Sequence, residues 1–436
     1  MSKRVGFKRM LGVVEAAAGE IGDPRRGGNA QRYDLADVVM AAFAMFYMQS
    51  PSFLAYQRDM QRTKGKNNAT SLFGVGKIPT DPQIRNLLDP LAAEGVGGCF
   101  WRIVEMVEEA GHLEPFRVWE RQILVSLDGT QYFGSGKVHC PHCTVRERGG
   151  RVSYSHTVLT AVVVAPGQGQ VLCLEPEYIT PQDGQEKQDC EQQAAKRWVE
   201  RQARWLERWS ATILADDLHA HQPFCALLQE RGLHFIMTCR PESHETLYEE
   251  VGLLATVGGV GEVTERKWNG RTHERWTYRY ALQVPLRCGP DALQVNWCEL
   301  RIVAEETGEI LYHNAFITDH ALDDRTVLAV VAAGRARWKV ENEHNNVLKN
   351  HGYHLEHNYG HGHQHLASFL LSLNLLAFLF HTVLSLSDDI YQAVRKELGA
   401  RRTFFQDLEA LTRYLYFANW DDLLAFMYKG LEIASG

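Results

Sequence analysis

The chain has 436 residues, 45% hydrophobic and 23% charged, with nine Cys and 10 Trp. That length can bury one large core or several, two to three domains being the natural count, and the composition is that of an ordinary globular protein. A net charge of −7 and a pI near 6.3 argue against a protein that coats nucleic acid through its overall field. An odd set of scattered Cys fits reduced thiols better than a disulfide scaffold. With no charged-then-apolar leader at the start, the expected compartment is the cytoplasm.

Basic residues cluster early: Lys3, Arg4, Lys8 and Arg9, then Arg25 and Arg26, then Arg58, Arg62, Lys64 and Lys66. Such a cluster suits contacts with phosphates. Residues 1–118 read as helical. The segment 35–48 is apolar almost all round yet too short to span a bilayer, which predicts a buried helix. Pro79 and Pro82 mark a turn, after which Thr80 or Asp81 can cap a helix.

The pattern changes at Gln122. A short run of apolar and β-forming residues, 123–127, leads to Asp128 and Gly129, as expected for a central strand delivering a carboxylate. Next comes Cys-Pro-His-Cys, with Cys140 and Cys143 flanked by His139 and His142. This is half of a zinc knuckle, with His156 and Cys190 the nearest candidates to complete a Zn²⁺ site. Strands are expected over 156–166 and 169–179, then a long amphipathic helix over 187–209. A second short apolar strand, 212–215, ends on Asp216 and Asp217, and a helix starts near Pro223.

Between Cys239 and Asp319 the sequence turns strand-rich and aromatic. Asn269-Gly270 sits between alternating segments, a strong hairpin signal, and a second hairpin is expected around Thr307 and Gly308. The stretch 334–349 reads as a helix with Ala336, Val340 and Val347 on its apolar side and Arg337 and Glu341 four apart on another. Arg337 can steady Glu341 and still offer its planar fork to a phosphate. Eight of the 19 His fall between His344 and His381 on a Gly-rich loop, read as polar and close to nucleic acid. The apolar stretch 365–386 is interrupted by Asn374 and His381 and reads as a buried helix, so no membrane is expected. Terminal helices should follow.

Two strands thus end on Asp, and a later helix adds Glu341. Three hard oxygen ligands are what a pair of Mg²⁺ ions needs to clamp both oxygens of a phosphodiester exchange. The motifs Ser-Leu-Asp-Gly-Thr at 126–130, Ala-Asp-Asp-Leu-His at 215–219 and Arg-Trp-Lys-Val-Glu-Asn at 337–342 resemble, in this order, the DDE transposases of bacterial insertion sequences. More narrowly, the chain is similar to the group whose last acid lies in a Tyr-Arg-Glu-Lys signature.

The resemblance spans about 122–386. It implies an α/β fold, an RNase H-like catalytic core interrupted by a β-rich insertion, between helical N-terminal and C-terminal regions. The domains implied are a helical DNA-end-binding unit over 1–118, core over 119–240, insertion over 241–319, core with catalytic helix over 320–386, and C-terminal helices over 387–436. It maps the catalytic acids to Asp128, Asp216 (with Asp217 as the substitute) and Glu341, holding two Mg²⁺ for which Mn²⁺ can stand in. Arg337 and Lys349 would neutralise phosphate charge. Trp268, Trp276 and Trp297 are similar in placing to an aromatic that holds a base out of the stack.

The sequence departs from the signature at two places. Gly334 stands where Tyr is expected, and Lys349 comes one residue late, roughly 80° round an α-helix from Glu341 rather than about 20°. Glu343 is a rival to Glu341 if the helix is rotated. The implied function is Mg²⁺-dependent cutting and joining of double-stranded DNA at element ends and target, by a homodimer on the DNA. The alternatives are a transposase-derived DNA-binding protein without recombination, and a zinc-dependent hydrolase.

Overall fold

Helices take up the first part of the chain: α1 (Phe7–Glu20), α2 (Leu35–Tyr47), α3 (Phe53–Met60), α4 (Asn68–Phe73), α5 (Asp81–Leu88) and α6 (Glu94–Glu109). The computed structural model describes residues 3–25, 33–60, 67–181 and 190–433. Arg26, Arg62, Lys64 and Lys66, and the start of the helix expected from Lys187, lie outside the described residues. α2 begins where Asp34 accepts a hydrogen bond from the Ala36 amide, satisfying one orphan donor of the first turn. Thr80 takes the N-cap position of α5 without a side-chain cap bond and donates instead to Gln83. Four of the early arginines pair with the chain's own acids: Arg4 with Asp388 and Asp421, Arg9 with Glu109, Arg25 with Asp23 and Arg58 with Asp59.

Strands then alternate with helices. They are β1 (Leu124–Ser135), β2 (Thr144–Arg148), β3 (Arg151–Val164), β4 (Leu172–Cys173), β5 (Glu177–Ile179), β6 (Thr212–Ala215), β7 (His234–Thr238), β8 (Gly261–Trp268), β9 (His273–Pro285), β10 (Gln294–Ala304) and β11 (Ile310–Thr318). Between them run α7 (Glu191–Arg208), α8 (Gln222–Glu230) and α9 (Glu245–Thr256). Among the described residues these strands form one mixed, mostly antiparallel sheet in the order β2-β3-β1-β6-β7-β11-β10-β9-β8, with β4 and β5 both on β3. β1, β6 and β7 are mutually parallel, and the remaining pairings are antiparallel.

The two expected hairpins form, β8–β9 around Gly270 and β10–β11 around Gly308. They do not make a detached unit. β11 pairs with β7 through Phe316 to Thr318, so the aromatic region continues the same sheet.

The chain closes with α10 (Thr326–Ala336), a π-helical turn (Val340–Asn345), α11 (Asn346–Asn350), α12 (Leu366–Ser387), α13 (Asp389–Leu398), α14 (Arg401–Tyr414) and α15 (Trp420–Gly430). α12 is long and apolar enough to cross a membrane, but 89% of its most apolar window is buried inside the protein. It lies against α2, α6 and β4, joining the N-terminal helices to the sheet. Two of its buried polar side chains are anchored there, although Asn374 Oδ1 is left without a partner. Asn374 donates to the Tyr353 carbonyl at 2.9 Å, and His381 bridges the Tyr47 carbonyl at 3.0 Å and the Tyr391 hydroxyl at 2.9 Å.

This bridge predicts that His381→Ala, which opens a cavity and leaves two buried groups unmatched, lowers stability by about 3 kcal/mol. Urea denaturation of the two proteins measures it. A loss under about 1 kcal/mol would mean that the ring is not a packing element.

Candidate functional site

Parallel pairing sets the site. β1 and β6 pair over three positions, the last being Ser126 with Leu214; continuing that register by two residues sets Asp128 level with Asp216. β6 ends at Ala215, so beside Asp128 the β6 edge of β1 is open. The expected strand end at Asp128 is instead mid-strand, since β1 runs on to Ser135 against β3.

Glu191, the first residue of α7, fills part of that opening. Its Oε1 accepts from the Gly129 amide at 3.1 Å. A Cβ at Gly129 would come within 2.1 Å of the Glu191 carboxylate, so only glycine lets this acid approach.

Asp216 accepts from His219 Nδ1 and from the Leu218 amide, each at 3.1 Å. Asp217 points elsewhere: it accepts from the Arg240 amide at 2.7 Å and from the Ser243 hydroxyl, with His244 Nδ1 at 3.4 Å. Of the two alternatives, Asp216 therefore faces the cluster and Asp217 holds the loop after β7.

From the other side comes the helical segment. The backbone tightens after α10, where Arg337, Trp338 and Val340 each bond three residues back, and then widens into the π turn. Arg337 is only 7% exposed. Its Nη2 pairs with Glu341 at 2.8 Å, while its Nη1 is buried without a partner. The Ser126 hydroxyl donates to the Arg337 carbonyl at 3.1 Å, and Asn345 Nδ2 donates to Asp128 Oδ2 at 2.8 Å. The helix is thereby pinned to β1 at both ends of the π turn. Glu343 is exposed, whereas Glu341 is half-buried.

The charges are coupled. Burial first, then the neighbouring Glu341 and Glu191 carboxylates, push Asp128 up to about 7 against the opposing pull of Arg337 and Asn345. Burial also pushes Asp216 up, but the His219 bond and Arg337 outweigh it and hold its carboxyl below the usual range. Glu191 is raised, by burial and by Asp216, in spite of His219. Ligand atoms of Asp128, Asp216 and Glu341 do not all lie within 4.8 Å of one another; like charges repel, and Arg337 interacts with all three.

An open cleft of about 510 Å³ adjoins them, lined by Asp216, Arg240, Tyr312, His313, Arg337 and Trp338 among others. Trp338 stands 47% exposed, its ring 5.5 Å from the Arg337 guanidinium.

Lys349 pairs with Glu356 at 3.0 Å rather than with the acids. The π turn that carries Glu341 changes the helical phase ahead of Lys349 from that of a plain α-helix. Gly334 takes the place of the signature's Tyr because a Cβ there would meet the Phe316 ring of β11 at 2.8 Å.

The three candidate stacking residues differ. Trp268 is 58% exposed. Trp276 is half-buried, with Lys267 Nζ 4.1 Å and Arg335 5.0 Å from its ring. Trp297 is corrected to a packing residue: it is 1% exposed, with Tyr248 edge-on at 6.0 Å.

A second centre lies beyond β1. Cys140, Cys143, His156 and His361 are all buried, with their ligand atoms within 4.8 Å of one another, and can hold a metal ion. The completing residue is His361 from the His-rich loop. Cys190, the other expected candidate, is exposed and outside the set. Among the described residues a further group, His234, Asp319 and His320, meets the same criterion.

Sequence reasoning passed over Glu191, His219, Asn345 and Trp338. His219 lay within the second motif and Asn345 four residues beyond Glu341, both visible; Glu191 had no local signal. No family model matches the chain, and no curated protein matches it significantly.

Asp128 yields a pH prediction. With its carboxyl near 7 in the folded protein and at an ordinary value unfolded, the folded state alone holds that proton between the two. Its contribution to stability is thus full at low pH and lost as pH rises through about 7. Thermal unfolding of wild type and Asp128→Asn between about pH 5 and 8 should show the variant gaining relative stability toward the upper end. Parallel curves would place Asp128 outside the cluster.

Proposed function

We propose that the chain is a DNA transposase of the DDE type, which cuts at the ends of its element and joins them to target DNA. The reading is carried by Asp128 on β1 and Asp216 just past the end of the adjacent parallel β6, with Arg337 and Glu341 beside them on one helical turn. The run β3-β1-β6-β7, antiparallel at its first step and parallel at the next two, supports an RNase H-like core.

The donor set fits a hard divalent cation. Burial, and then the neighbouring Glu341 and Glu191 carboxylates, hold Asp128 up to about 7, and such an ion would relieve both. Asp128, Asp216 and Glu341 are the residues that would hold two Mg²⁺, or Mn²⁺, drawing inward to do so. Bound there, Mg²⁺ supplies Lewis-acid polarisation of a phosphodiester and a water or 3′-hydroxyl of lowered pKa.

The chain's own groups do the rest. Asn345 fixes the orientation of Asp128, and His219 that of Asp216. Arg337, with one buried nitrogen unmatched and its side chain lining the cleft, would bind a phosphate as its charge builds up. Trp338 and Trp268 offer exposed rings for unpaired bases, and joining two ends of a double-stranded element calls for a homodimer on the DNA.

A transposase-derived DNA-binding protein without recombination is the second reading, favoured by Lys349 being held by Glu356. A zinc hydrolase is less well supported. Its metal needs an open position, and the Cys-His set supplies four ligands.

Asp128→Ala, Asp216→Ala and Glu341→Ala should each lower Mg²⁺-dependent nicking of element-end DNA by at least about a thousandfold, with gel-shift affinity little changed. Nicking at the wild-type rate by any one variant removes that residue from the mechanism, and a wild type that binds without nicking favours the second reading. Trp268→Ala should weaken binding to ends with unpaired bases by about 1–3 kcal/mol, measured by fluorescence anisotropy. Unchanged affinity would return Trp268 to a surface role.

A further inference from the structure

The four-residue centre beyond β1 has a geometry that can be compared with a known coordination shell. Its Sγ–Sγ separation is 3.9 Å. The S–N separations are 3.5 Å from each thiol to His156 Nε2 and 3.4 Å from Cys143 to His361 Nε2. The two Nε2 atoms stand 3.0 Å apart. A tetrahedron built on Zn–S of about 2.3 Å and Zn–N of about 2.05 Å has edges of about 3.8 Å (S–S), 3.6 Å (S–N) and 3.3 Å (N–N). Five of the six edges thus come out at nearly that scale, and all four ligand atoms lie within 4.8 Å of one another.

We propose that Cys140, Cys143, His156 and His361 bind one structural Zn²⁺, which clamps the turn after β1 to the loop that follows the π turn. Two thiols and two imidazoles converging on one point suit Zn²⁺ rather than a hard cation. All four corners come from the protein, so no position is left for a substrate, and the site is structural. A disulfide does not account for the pair, since the sulfurs are unbonded at 3.9 Å.

The surroundings select the metal-binding nitrogen. His361 Nδ1 lies 3.0 Å from the Gly362 carbonyl and, by donating to it, leaves Nε2 with its lone pair toward the centre, the usual second partner of a metal-bound imidazole. The Phe133 ring lies 4.4 Å from His361 and that of Tyr132 5.6 Å from His156, walling the centre from water.

What the ion joins gives it consequence. His361 is 218 residues from Cys143 and 205 from His156, so the clamp closes a very long stretch of chain. The same loop is gripped from the N-terminal helices, where Asp89 accepts from the amides of His363, Gln364 and Leu366. Zinc would therefore hold β1 and the segment after Glu341 in one frame. Its effect on DNA cleavage rests on the proposed function above, but its binding does not.

The test uses the full chain purified from zinc-supplemented cells. Elemental analysis should find about one Zn²⁺ per chain after dialysis, and replacement by Co²⁺ should give the visible bands of a tetrahedral site with two thiolates. Cys143→Ser and His361→Asn should lose the ion and melt at a lower temperature, whereas His363→Asn, at an exposed neighbour, keeps both metal and melting point. Folded wild type with well under half an equivalent of zinc, or a cobalt spectrum lacking thiolate charge transfer, overturns the proposal. If the ligand variants do not fold, those two wild-type measurements still decide it. Zinc present without DNA cleavage counts against the transposase alone, and cleavage by zinc-free protein against the clamp alone.

Discussion

Neighbouring carboxylates repel one another, and the buried guanidinium of Arg337 interacts with all three of Asp128, Asp216 and Glu341. It pairs directly with Glu341 and lowers both Asp128 and Asp216 through its charge. The compensation is partial, since Asp128 still titrates near 7 and one Arg337 nitrogen has no partner. Surplus negative charge beside an unmatched cationic donor sets this cluster apart from a fully matched ion pair.

Placing one Arg among three acids from distant parts of the chain needs an irregular helix. The backbone first tightens around Arg337 and then widens through the π turn, and each change has a local anchor, Ser126 on the Arg337 carbonyl and Asn345 on Asp128. π turns are rare and concentrate at functional sites because they redirect side chains at the expense of regular hydrogen bonding. Here the turn brings Glu341 and Asn345 toward the same strand and shifts the phase of everything after it. The ridge of α10 meets β11 through Gly334 and Phe316, so the extended sheet carries the helix that carries the acids.

Support for this arrangement is long-range. α12 runs beneath the sheet and touches the N-terminal helices, while the loop before it is held by Asp89 and enters the Cys-His centre. The burial of Asp89 raises its carboxyl, but the backbone amides of Gln364, His363 and Leu366 outweigh that and keep it charged. The His-rich loop is thus a structural joint between three parts of the molecule.

Much was legible from pattern. The helix and strand signals, the two turns at Gly270 and Gly308, and the buried character of α2 and α12 all follow from periodicities of a few residues, which the chain carries locally. The choice between Asp216 and Asp217 was not local, because it depends on what the loop after β7 offers as donors. Nor was the exclusion of Trp297, which follows from the cover that the sheet's neighbours provide.

The sequence by itself determined which segments are helix or strand, which faces are apolar, and which residue types are available for acid, metal and aromatic chemistry. Only the tertiary structure decided that Glu191 and Asn345 join Asp128, that His361 rather than Cys190 meets Cys140 and Cys143, and that Lys349 pairs with Glu356. Those outcomes rest on contacts between different segments of the chain, which leave no periodic trace along it.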